Sequence, residues 1–146
     1  MSDLAAVQER VHRLLEQILN DSLDPPDEGH WTLGYGTVPL VVSILEREGY
    51  DGAAVLVSSP ILTDVAKTPE LLDVLNTMNA SMYFAHAYWS DGYVFVAAHL
   101  VGETLDLPEL QRAMSVVGDW ADKLDEPFVQ RFKAPGRPPP GAIAGT

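Results

Sequence analysis

The chain contains no cysteine, so disulfide bridges and thiolate chemistry are both excluded. No stretch approaches the ~18 consecutive apolar residues that would suggest a membrane span. Basic residues are scarce: 9 Lys and Arg stand against 21 Asp and Glu, for a formal charge of −12. Such a surface repels phosphate backbones and anionic lipid, so neither nucleic acid nor a membrane surface is an expected partner. It favours solubility, and its acidic rim would steer basic partners. The catalytic signatures G-x-S-x-G, H-E-x-x-H, the P-loop and G-x-G-x-x-G are all missing. Gly34-Tyr35-Gly36 is too short for a phosphate loop and has no basic residue or following helix to support it. The start, Met1-Ser2-Asp3-Leu4, lacks the basic region and continuous apolar core of a signal peptide, which makes the cytoplasm the expected location.

What is present is an ordinary globular composition, 47% apolar over 146 residues, enough for one domain with a real core. Leu4, Val7, Val11, Leu14, Leu15, Ile18 and Leu19 recur at helical spacing and predict an amphipathic helix from about Ser2 to Asp21. The breaker cluster Asp24-Pro25-Pro26-Asp27-Glu28-Gly29 ends it. Trp31 to Gly36 begins extended structure, and Val38 to Glu46 reads as a strand in which Pro39 marks an edge or a start. A turn at Glu48-Gly49-Tyr50-Asp51-Gly52 leads to a strand over Ala53–Ser59. Pro60 to Ala66 is either a short continuation or a bent connection.

Thr68-Pro69-Glu70 opens a second helix carrying Leu71, Leu72, Leu75 and Met78. Tyr83–Trp89 and Tyr93–Val101 form a hairpin about Asp91-Gly92, where both turn positions tolerate positive φ. That register sets Phe84 opposite His99, His86 opposite Ala97 and Tyr88 opposite Phe95. The opposite side of the ribbon, with Ala87, Trp89, Val94, Val96 and Ala98, is expected to face helices. Asp106 and Glu109 make a capping box, with Pro108 in the first turn of a last helix that Pro127 ends or kinks. The domain is expected to span 1–133, followed by a flexible Pro/Gly-rich tail over 134–146.

In its order of elements, and in the residues Leu71-Leu72-Asp73-Val74-Leu75-Asn76-Thr77-Met78-Asn79, the Tyr83–Val101 hairpin, Gly102-Glu103-Thr104-Leu105-Asp106-Leu107-Pro108-Glu109-Leu110 and Trp120-Ala121-Asp122-Lys123-Leu124, the chain resembles the type III secretion chaperone-like superfamily, especially its YbjN-like branch. The element order covers the chain to about Phe132, and the residue match covers mainly Glu70–Leu124. The resemblance implies an α+β fold, an antiparallel sheet with flanking helices in the order α-β-β-β-α-β-β-α. It also implies a small acidic protein, often a homodimer, that binds segments of other proteins and performs no reaction.

The candidate contact surface is the hairpin face bearing Phe84, His86, Tyr88, Tyr93, Phe95 and His99, because clustered aromatics on a face away from the helices mark interaction surfaces. The competing reading is that further strands or loops cover it. His86 and His99 would be diagonal neighbours, yet two ligands without supporting Cys or carboxylate give no metal expectation, and no cofactor is expected. His12 is expected to face solvent, Asn76 and Asn79 to bond locally at the end of their helix, Trp89 and Trp120 to be core, and Trp31 to be either core or a surface anchor. The expected role is non-catalytic binding of a protein client or regulatory partner. The alternative is a small-ligand sensor or enzyme using a pocket between sheet and helices.

Overall fold

The computed structural model describes residues 3–46, 49 and 51–138. Helix α1 spans Leu4–Leu19. It starts where the Asp3 carboxylate accepts the Ala6 N–H at 3.1 Å, and stops where Asn20 turns left-handed at φ 53°. Strands β1 (His30–Tyr35), β2 (Val38–Leu45) and β3 (Ala54–Leu62) follow, then α2 (Pro69–Asn79), the hairpin β4 (His86–Ser90) and β5 (Tyr93–Val101), and α3 (Leu107–Phe132). The caps read from the sequence are in place. Thr68 Oγ1 accepts from the Leu71 N–H, and Asp106 Oδ1 accepts from the Glu109 N–H at 2.9 Å.

All strand pairs are antiparallel, in the order β1-β2-β3-β5-β4. Register fixes which residues share a side. Trp31, Val42, Val57 and Ala98 form one cross-strand row, and Leu33 pairs with Leu40. All six join Val7, Val11 and Leu15 of α1, Leu71 and Leu75 of α2, and Leu110, Met114 and Val117 of α3 in a single buried cluster. The three helices therefore cover one face of the sheet, with α3 across its centre and α2 beside β4. Burial of this apolar row supplies the main driving force for the fold, at about 25 cal/mol per Å² removed from water.

The structure decides between alternatives the sequence left open at Pro60 and Pro39, and differs from expectation elsewhere. Strand β3 runs on to Leu62, past Pro60, with a register irregularity between Pro60 and Leu62. A proline lacks the N–H for the ladder, and the slip accommodates it. Pro39 lies in an internal strand, but as its second residue. Helix α3 passes through Pro127 and continues to Phe132. Pro127 and Lys123 are both exposed, so the Lys123 carbonyl that loses its partner faces water. Trp31 is 4% exposed, and its indole N–H donates to His12 Nδ1 at 3.1 Å, so Trp31 is core and His12 is half-buried rather than solvent-facing. Residues 48 and 50 of the expected turn lie outside the described residues, as does the expected tail from Pro139 on. Residues 134–138 lie against the domain: Ala134 is buried, and the Thr63 N–H donates to the Pro135 carbonyl. Among the described residues no helix is long and apolar enough to cross a membrane.

Candidate functional site

The hairpin turn has Asp91 at φ 48° and Gly92 at φ 86°, two successive left-handed residues that match the twist of the flanking strands. This sets His86 opposite Ala97 and Tyr88 opposite Phe95. Both pairs point away from the helices, because the intervening Ala87, Val94 and Val96 belong to the helix-covered core.

On that outer side the rings form a continuous ladder. His99 stacks on His86 with centroids 5.5 Å apart, and His86 stacks on Tyr88 at 5.4 Å. Tyr88 meets Phe95 at 5.5 Å, and Phe95 stacks on Tyr93 at 5.5 Å. Aromatic pairs at such spacing are worth about 0.5–1.5 kcal/mol beyond the area they bury. Partial burial lowers the His86 pKa from its ordinary 6.5, since the imidazolium loses solvation there.

Five of the six candidate face residues thus lie together, and Phe84 does not. Strand β4 begins at His86, and no β4 residue stands across from His99, which pairs instead with Leu56 of β3. Phe84 sits in the connection at φ +65°, 71% exposed, with the Arg112 guanidinium of α3 over its ring at 5.5 Å. Asn79 Nδ2 donates to the Ala87 carbonyl at 2.9 Å, and Asn79 Oδ1 accepts the Ala87 N–H at 2.8 Å. One amide side chain thus occupies both outward backbone groups of Ala87, as a neighbouring strand would, and ties β4 to the end of α2. Asn79 does bond locally, but to the strand rather than the helix end.

Beside the ladder the outer side is built of small and branched residues. Val41, Leu56 and Ala97 are buried but stand outside the helix-packed cluster, together with Ser43 and Ser58. Pairing places Ser58 between Val41 and Ala97, and Ser43 beside Leu56. The hydroxyls of Ser43 and Ser58 are buried with no hydrogen-bond partner among the described residues. A buried hydroxyl left without a partner costs about 1–3 kcal/mol. Alternation alone predicts that these residues share a side; their burial was not readable from the sequence. Among the described residues there is no cluster of three or more metal-ligating side chains.

A five-stranded antiparallel sheet with three helices on one side defines an α+β fold. Three solved structures share the fold. The ExsC–ExsE complex has a TM-score of 0.60 at 21% identity, covering 85% of this chain and 93% of that one. ExoU–SpcU from the type III secretion system of Pseudomonas aeruginosa has 0.59 at 17%, covering 80% and 98%. The HopA1–SchA chaperone–effector complex has 0.62 at 15%, covering 85% and 98%. No curated protein sequence matches the chain. The family described as T3SS (YopN, CesT) and YbjN peptide-binding chaperone 1, TY-Chap1, matches residues 5–137, and this chain belongs to that family. The resemblance read from the sequence therefore holds over nearly the whole chain, and peptide binding of the chaperone kind is the role the family defines.

Proposed function

We propose that this protein is a non-catalytic chaperone or regulator that grips a segment of a partner protein, or a second copy of itself, on the outer face of its sheet. The observation that carries this reading is the ladder His99–His86–Tyr88–Phe95–Tyr93 on the side away from the helices. A row of stacked rings supplies large contact area at low conformational cost, which suits an extended segment laid across strands. The family assignment supports a peptide as occupant, and the complexes among the solved structures, one of them titled chaperone–effector, support a protein partner. A cytoplasmic location and a homodimer belong to the same reading.

Phe95 is only 7% exposed, so an acidic residue there would compromise folding as well as contact. Tyr88 and Tyr93 are half-buried and make cleaner probes. Size-exclusion chromatography with light scattering should give a dimer for the native chain, or a complex once a partner protein is captured. Tyr88→Asp with Tyr93→Asp should lose that species while keeping the thermal midpoint within a few degrees. A monomer at high concentration, combined with partner capture unchanged in the double variant, removes the outer face from contention.

A further inference from the structure

On the helix side of the molecule a crevice separates the β1–β2 turn from the middle of α3. Gly118 makes it possible: a Cβ there would stand 2.3 Å from Tyr35 Cδ1, so only glycine lets the ring lie on the helix. The Tyr35 hydroxyl donates to Asp119 Oδ1 at 3.2 Å. Two adjoining cavities, about 240 and about 580 Å³, share Thr37 and Asp122, and the larger continues over Asp125 and Glu126 to Arg137.

Carboxylates along an exposed helix face are ordinary. What distinguishes this place is the guanidinium already seated in it. The Arg137 Nη2 atom is 3.0 Å from Asp125 Oδ2 and donates to the Ala121 carbonyl at 3.5 Å, while Nη1 donates to the Thr37 carbonyl at 3.4 Å. The side chain is 16% exposed. A carboxylate and two backbone carbonyls around one planar fork suit arginine and not the point charge of lysine. Arg137 arrives on a short strap, Pro135-Gly136-Arg137-Pro138. Besides the arginine's own contacts, the strap is held by the Thr63 N–H at 3.1 Å from the Pro135 carbonyl and Thr63 Oγ1 at 3.2 Å from the Gly136 carbonyl. Asp119, Asp122 and Glu126 leave the crevice with negative charge that one arginine does not balance.

We propose that this crevice is a binding site for an arginine side chain of a basic partner segment, filled in cis by Arg137 until such a segment displaces it. The strap has few bonds to break, and the acidic surroundings draw a basic segment in. The site lies away from the aromatic ladder and does not depend on it.

The test is an amide NMR titration of the full chain carrying Arg137→Gln with the capped peptide Ala-Pro-Gly-Arg-Pro, the chain's own residues 134–138. Saturable shifts are expected at Thr37, Asp122 and Asp125. The apparent affinity should be about tenfold above that of the native chain, whose own arginine competes at high effective concentration. The same peptide with lysine in place of arginine should bind several-fold more weakly, and adding Asp125→Asn should abolish the shifts. Absent shifts in the Arg137→Gln chain, equal binding by the native chain, or equal binding of the lysine peptide would each overturn the proposal. Should Arg137→Gln fail to fold, Arg137→Lys serves instead: its lysine fills the fork less well and competes less, so a smaller gain of several-fold over the native chain is expected, and no gain would overturn the proposal. The Tyr88→Asp, Tyr93→Asp chain should titrate unchanged, so the two surfaces fail separately.

Discussion

The two faces of the sheet solve different problems with the same strands. The inner face is filled by Leu40, Val42, Val55, Val57, Val96 and Ala98, aliphatic residues with few rotamers that interlock with three helices. The outer face keeps a small centre, Ser43, Ser58 and Ala97, and stacks its large rings at the β4–β5 end. One side is shaped by the demands of packing against its own chain. The other carries the Ser43 and Ser58 hydroxyls, without a hydrogen-bond partner among the described residues, and half-buried rings.

Substitutions should separate these roles. The largest stability effect is expected inside: Leu110→Ala, at a fully buried position, should cost about 2–5 kcal/mol in chemical denaturation, since transfer and cavity terms add. A loss below 1 kcal/mol would mean the helix layer is not the stabilising one. On the same helix side, Gly118→Leu forces the Tyr35 ring off α3 and should cost about 1–3 kcal/mol despite leucine's better helix propensity. At the sheet edge, Asn79→Ala strips Ala87 of both side-chain partners and should cost about 1 kcal/mol while loosening β4, seen as faster amide exchange at Ala87.

The outer face should respond weakly in stability. Ser58→Ala removes an unpaired buried hydroxyl and should be neutral or slightly stabilising. If it weakens partner binding at unchanged stability, that hydroxyl belongs to the contact. His86 supplies a pH handle. Its folded pKa lies below the unfolded value of about 6.5, so the unfolded chain binds the proton more readily. The stability His86 contributes is therefore present above pH 6.5 and is lost as pH falls below it. The stability gap between the native chain and His86→Gln should shrink on going from pH 7.5 to 5.5, and a constant gap would contradict this.

Sequence carried the local rules well. Asp91-Gly92 dictated the hairpin register, and Thr68 and Asp106 marked helix starts, because each acts through bonds to residues a few positions away. What escaped depends on distant parts of the chain. Trp31 is core because β1 sets it beside Val42 in the helix-covered cluster, where His12, 19 residues earlier, accepts its indole proton. Strand β4 begins only at His86, which leaves Phe84 in the connection, and Asn79, on the preceding helix, holds the edge at Ala87. The stretch from Ala134 reads as featureless Pro/Gly chain, and its place is set by Thr63, which bonds Pro135 and Gly136, and by Asp125, Thr37 and Ala121, which hold Arg137. Alternation showed which residues shared the outer side, but not that Val41 and Leu56 would be buried there.

The central claim, that the helix-free face is the gripping surface, is tested most directly by an amide NMR footprint. The peptide to add is the one the native chain selects from a random displayed library. The account predicts shifts concentrated at His86, Tyr88, Tyr93, Phe95 and His99. Shifts confined to the outside of α1 and α2, with the β4–β5 ladder unmoved, would contradict it.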